Sequence, residues 1–304
     1  MIMRKCILFW LFFVCIILSS ISLVQAAPFF AMGEINEAFF NNREVWVDVD
    51  NNSQISKGDY FWGILHVQNI EDSQGNTMWS EDNVDRDGSI DTFTGYFYIE
   101  VLDIVTGDPN PYIIFGIPDQ SDPNNIISDS ERDSGVVMKL YVDDGSVPPA
   151  TSFVNDVTKL GEATDGTFWA SFGLDTGSYW DSENDTWTGN TYWYTQAPIN
   201  PPTEGKVGIS WFGLKIVDNN SGIPLFVGIN DPDEDFADKT VSMYGESMIT
   251  VADLTRNENN DGYSSGEIFE SDDPVTIFPA PEPASIMLLG GALLSLAIYV
   301  RKKF

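Results

Sequence analysis

From Arg43 to Leu254 the chain is written as short apolar runs, REVWVDV, DYFWGILHVQNI, FTGYFYIEVLDIV, GVVMKLYVDD, TFWASFGLD, KVGISWFGLKIVD, IPLFVGIN and ESMITVADL, separated by Gly, Pro, Asn and Asp. Runs of this length, rich in β-branched and aromatic residues and bounded by turn formers, read as strands. Alternation is visible in VWVDV and in Phe97, Ile99 and Val101, which would share one buried face of a pleated strand. Helical periodicity is all but absent. The one helix candidate is TSFVNDVTKLG, residues 151–161, where Phe153, Val157 and Leu160 recur at i, i+4 and i+7 between a Thr151 or Ser152 cap and a Gly161 stop. Many strands without intervening helices predict an all-β protein, an antiparallel β-sandwich or barrel-like ectodomain with at most one short helix. FWGILHVQN at Phe61 and WFGLKIVDN at Trp211 agree at three of nine positions, which fits convergent strand grammar better than two related halves.

The two ends differ from this pattern. Arg4 and Lys5 precede an apolar stretch from Cys6 to Leu18, and LVQAAPFF follows, with Val24 and Ala26 small before a cut between Ala26 and Ala27. This is the three-part plan of a secretory signal peptide, and an uncleaved N-terminal helix is the alternative. Both cysteines, Cys6 and Cys15, lie in that segment, so residues 27–304 carry no thiol. Disulfides, thiolate-zinc sites and cysteine nucleophiles are thereby excluded from the exported part.

Ten basic residues face 45 acidic ones between the terminal segments, a net charge of about −35. Such a field repels nucleic acid and anionic membranes, and it favours hard cations such as calcium. Disorder is the usual partner of high charge, but 20 Phe, 11 Tyr and 9 Trp are enough to build a core. The expected organisation is a signal peptide at 1–26, an acidic β-rich ectodomain at 27–256, a polar stalk or terminal strand region at 257–279, and a C-terminal tail at 280–304 with an apolar transmembrane segment at 284–300.

Three segments space oxygen ligands as a calcium loop does. DVDNNSQISKGD puts Asp48, Asp50, Asn52, Gln54, Ser56 and Asp59 at loop positions 1, 3, 5, 7, 9 and 12, with apolar Ile55 at position 8. Alternating short oxygen side chains wrap the chain around one cation, with a main-chain carbonyl at position 7 and a closing carboxylate at 12. It departs from the EF-hand in having Ser53 where Gly makes the turn, and strands rather than helices on its flanks. NVDRDGSIDTFT offers Asn83, Asp85 and Asp87 but closes on Thr94, and NENNDGYSSGEI offers Asn257, Asn259 and Asp261 with Glu267 one place early. All three also read as hairpin turns, where Asp, Asn and Gly concentrate.

Catalytic motifs are thin. GYSSG at 262–266 matches the nucleophile-elbow pattern around Ser264, but that chemistry needs a later histidine, and the single histidine is His66. No zinc-protease, phosphate-loop or dinucleotide motif is present. A non-enzyme is expected, with glycoside hydrolysis by a carboxylate pair as the residual enzymatic possibility. The aromatic segment 167–198 suggests either cross-strand packing or stacking on sugar rings, with Trp180, Trp187 and Trp193 as candidates for a glycan surface.

At the C-terminus, Pro281-Glu282-Pro283 precedes an apolar run of 17 residues, Ala284 to Val300, and then Arg301-Lys302-Lys303. The run reaches about 26 Å as a helix, enough for a thin bilayer, with the basic trio on the cytoplasmic side. In its tripartite order this tail resembles the PEP-CTERM sorting signal of Gram-negative bacteria. The resemblance covers only the last 25 or so residues. It implies export through the secretion machinery, a transient inner-membrane intermediate, and processing near Pro281-Glu282-Pro283 by an exosortase. The implied destination is the cell surface or an exopolysaccharide matrix, in biofilm or floc formation. The expected function is a non-enzymatic, calcium-stabilised surface or matrix protein. A carbohydrate-binding or glycan-cleaving domain and a permanently anchored membrane protein are the alternatives.

Overall fold

The computed structural model describes residues 30–31, 33–81, 90–105, 111–145, 160–181, 183, 186–196, 203, 205–221, 229–230, 239–253 and 267–279, all within the unit Pro28–Ala280. Fifteen strands occur among them: β1 Asn36–Val47, β2 Tyr60–Asp72, β3 Thr77–Ser80, β4 Ile90–Val105, β5 Tyr112–Gly116, β6 Val136–Gly145, β7 Thr167–Gly173, β8 Tyr179–Asp181, β9 Thr186–Thr188, β10 Tyr192–Gln196, β11 Val207–Asn219, β12 Ile229–Asn230, β13 Thr240–Val241, β14 Met243–Asp253 and β15 Glu267–Ile277.

Their pairing is antiparallel and closes on itself. Going round, β1, β2, β4, β5, β10, β11, β14 and β15 each bond to the next, and β15 returns to β1. Two long strands act as posts. Residues 90–97 of β4 pair with β6, while residues 100–105 of the same strand pair with β5. Likewise β11 gives 209–213 to β10 and 215–219 to β7. With β6 and β7 paired to each other, the wall is closed at both levels. The protein is therefore all-β and antiparallel, in a barrel-like closure that leaves few free strand edges. Within the region anticipated as stalk or terminal strand, Glu267–Ile277 is a strand held between β14 and β1.

Residues of period two fill the interior: Phe61 and Leu65 from β2, Phe97, Ile99 and Val101 from β4, Phe172 from β7, Trp193 from β10, and Phe212 and Leu214 from β11. Room for the largest rings comes from glycine. A Cβ on Gly63 would stand 2.5 Å from the Arg43 carbonyl oxygen and 2.5 Å from the Phe97 ring. The opposite face is also covered, which the alternation alone does not foretell. Val45, Trp62, Tyr96, Tyr98 and Val136 form an outer cluster with Ile127, from the 117–135 segment. Asp122 pins that segment down: its carboxylate accepts the Tyr96 hydroxyl at 2.6 Å and the amides of Asn124, Ile126 and Ile127 at 2.8–2.9 Å.

Among the described residues there are two short helices rather than at most one. The first, α1 at Asp129–Asp133, is set by a capping box in which the Ser128 hydroxyl accepts from the Glu131 amide and the Glu131 carboxylate accepts from the Ser128 amide. Five residues are too few to show an apolar period, so only the Ser128-x-x-Glu131 signature could have revealed it. The second, α2 at Leu160–Ala163, starts inside the anticipated helix, whose residues 151–159 lie outside the described set. The two similar segments, at Phe61 and Trp211, are both barrel strands but out of phase. Phe61 faces the interior, whereas Trp211, at the equivalent position, belongs to an outer cluster.

Candidate functional site

Residues 48–59 form the entire connection between β1 and β2. Asp48 leaves β1 and folds its carboxylate over the turn, accepting the Asn52 amide at 3.1 Å and the Ser53 amide at 2.7 Å. Asp50 accepts the Asn52 amide at 3.2 Å and its side-chain NH2 at 2.8 Å, and Asn52 Oδ1 accepts the Gln54 amide at 2.6 Å. These successive bonds coil the chain inward, as alternating Asp and Asn side chains do. Ser53 takes the left-handed conformation at φ +61°, the backbone that glycine supplies at the sixth position of an EF-hand loop. Ile55 is 1% exposed and joins the barrel core. Asp59 closes the loop on β4, through the Asp59 carbonyl to the Val101 amide at 2.8 Å and the Gly58 amide to the Val101 carbonyl at 2.9 Å.

The result is a cluster of like charges. Carboxylate oxygens of Asp48, Asp50 and Asp59 all lie within 4.8 Å of one another, and the Ser56 hydroxyl is 3.3 Å from Asp50 and 3.2 Å from Asp59. Among the described residues, no ion pair reaches any of the three. Asp59 is 1% exposed, and burial pushes its carboxyl above the usual aspartate range. Four donors hold the charge in place against that cost. Trp46 Nε1 at 3.1 Å, the Ser56 amide at 2.8 Å and the Ser56 hydroxyl bond to Oδ2, and the Val49 amide bonds to Oδ1 at 3.0 Å. The Trp46 contact ties the loop to the core and has no signature in the spacing. The donor set suits a hard cation: three carboxylates, the Asn52 and Ser56 side-chain oxygens and the Gln54 carbonyl are all oxygen ligands, with no sulfur or imidazole.

Other anticipated residues divide into two groups. Asn83, Asp85, Asp87, Asn257, Asn259, Asp261, Ala26, Ala27, Pro281, Glu282, Pro283, Arg301, Lys302 and Lys303 lie outside the described residues. Among the described residues no helix is long and apolar enough to cross a membrane. The aromatic candidates are described, and two of them are buried. Trp193 is 7% exposed and packs in the barrel against Phe97 and Phe212, with ring centroids at 5.7 and 5.1 Å. Trp187 is 5% exposed beneath Trp180, in an outer cluster with Ile114 and Tyr192. Strand alternation sends Trp193 inward, and hairpin β8–β9 folds its own tryptophans against the wall. Trp180 is half-buried there. On the outer wall, Tyr194 and Trp211 stack on each other at 5.0 Å and 18°, so each covers a face that a sugar would need.

Inside the barrel Asn42, Glu44, Ser247 and Ser271 form a polar cluster that no sequence motif marks. REVWVDV shows the carboxylate of Glu44 next to apolar residues, but only the register shows that it points inward. His66 is 3% exposed, with Nε2 2.8 Å from the Glu81 carboxylate. Compared with known proteins, the chain matches no family model and no curated protein sequence.

Proposed function

We propose that this chain is an exported protein of the cell surface or exopolysaccharide matrix of a Gram-negative bacterium, sorted through its C-terminal tail. Its acidic barrel acts without catalysis and carries calcium in the Asp48–Asp59 loop. One observation carries the calcium reading: ligand spacing along the sequence and convergence in space coincide, with the Asp48, Asp50 and Asp59 oxygens within 4.8 Å and Ser53 left-handed at the turn position. Asp48, Asp50, Asn52, Ser56 and Asp59 would hold the ion through side chains and Gln54 through its carbonyl. The ion would supply the positive charge that offsets three converging carboxylates. The address rests on the order of signal peptide, Pro281-Glu282-Pro283, apolar run and basic end. In the matrix, calcium held by an acidic surface could bridge to anionic polysaccharide.

Two experiments test these halves separately. With an epitope after Phe304 and another in the β2–β3 turn, fractionation of the native host should find the turn epitope at the surface and the tail epitope only in a short-lived inner-membrane precursor. Persistence of both epitopes on one stable membrane species would replace sorting by permanent anchoring. For calcium, thermal unfolding of the full chain should shift upward on adding the ion and return with chelator. An Asp50→Asn variant should lose most of that shift, and an equal shift in the variant would place any bound calcium elsewhere.

A further inference from the structure

Halfway along β1 the inward-facing row changes character. Ala38, Phe40 and Trp46 are apolar core residues, but Asn42 and Glu44 point into the same interior. Ser271 on β15, directly opposite Asn42 in the register, donates its hydroxyl to Glu44 Oε1 at 2.8 Å and accepts from Asn42 Nδ2. Two cavities of about 30 Å³ each lie here: Asn42 and Ser247 line both, and Glu44 and Ser271 line one of them. A water needs roughly 10–15 Å³ of such space and two to four polar partners. Each cavity therefore has room for about two waters, and the amide, the hydroxyls and the carboxyl provide the partners.

Among the described residues, nothing basic answers the carboxyl. Its cross-strand neighbours are Gly63 on β2 and Phe269 on β15. The side chains that β2, β4, β5, β6, β10, β11, β14 and β15 bring to the two cavities are apolar or bear hydroxyls, so among the described residues Glu44 is the single ionisable group lining either one. An ionised carboxylate without a counter-charge in a low-dielectric interior costs several kcal/mol, and such a group takes a proton instead. We propose that Glu44 is an internal proton-binding site: the folded barrel carries it as the neutral acid, solvated by trapped water, and loss of that proton loosens the barrel from within.

Burial raises the Glu44 carboxyl to about 7 from an ordinary 4.5, against opposing hydrogen bonds from Ser271 and Asn42. Between those two values the unfolded chain has released a proton that the folded chain keeps, so stability falls as pH rises through this window and levels off above it. The other carboxylates also titrate, so the informative quantity is the wild type compared with Glu44→Gln. In urea unfolding of the full chain, the wild-type folding constant relative to Glu44→Gln should drop on the order of 100-fold between pH 5 and pH 8. Parallel profiles would overturn the proposal. If Glu44→Gln does not fold, the infrared spectrum of the folded wild type at pH 6 decides: a protonated-carboxyl carbonyl band that vanishes on unfolding supports the site, and its absence overturns it. Ser271→Ala, which removes a hydrogen bond favouring the ionised form, should move the midpoint to higher pH. A midpoint that stays or falls contradicts the assignment.

Discussion

Replacing Asp59 by Asn keeps the shape of the side chain and reverses half of its hydrogen-bonding character. In the native loop Oδ2 takes Trp46 Nε1, the Ser56 amide and the Ser56 hydroxyl, and Oδ1 takes the Val49 amide. An asparagine can offer its oxygen to only one of these sets, and the best choice is the Oδ2 position. Its NH2 then confronts the Val49 amide, donor against donor. One buried or half-buried N–H left unpaired costs about 1–3 kcal/mol. Some of that is returned, because the variant no longer buries a charge whose desolvation raises the carboxyl. The expected net loss is about 1–2 kcal/mol, or roughly 3–6 °C in Tm for a domain of this size. Tryptophan fluorescence suits the assay because Trp46, 1% exposed, donates directly to the substituted atom. A variant within 0.5 kcal/mol of wild type in calcium-free buffer would refute the claim that Asp59 anchors the loop to the core.

Three further substitutions probe the framework. Gly63→Ala should cost about 1–3 kcal/mol in denaturant unfolding, because its Cβ meets main chain as well as the movable Phe97 ring. Trp193→Ala should cost about 3–5 kcal/mol, as expected for a core ring among three phenylalanines, with Nε1 bonded to Ser210 at 3.2 Å. A loss of under 1 kcal/mol would mean that the ring is not in the core. Ser53→Gly should stabilise the chain: relief of left-handed strain, about 1–2 kcal/mol, exceeds the added freedom of the unfolded chain, about 0.4–1 kcal/mol. A clear drop in Tm would show that the loop does not hold Ser53 at positive φ.

The strand grammar made the all-β class legible because each strand carries its own record of period, turn residues and β-branched composition. Closure was not legible. It depends on β4 and β11 each serving two neighbours along one edge, a property of register between residues far apart in sequence. For the same reason, alternation places Phe97, Ile99 and Val101 on a buried face but does not show that Tyr96 and Tyr98 are buried too, under a separate layer. The coiling of the 48–59 loop was readable at Asp48, Asp50 and Asn52, whose bonds stay within the loop. The anchor on Trp46 was not, because it crosses from loop to core. Glu44 was hidden most completely: in sequence it is one acid among many, and only cross-barrel neighbours make it exceptional.

Calorimetric titration of the full chain with calcium decides whether the 48–59 loop binds the ion. Binding there predicts saturable heat with a calcium-dependent rise in Tm, both abolished in a chain carrying Asp48→Asn and Asp50→Asn together. No heat and an unchanged Tm in the wild type would contradict it, leaving the 48–59 loop as a hairpin turn whose carboxylates serve the fold alone.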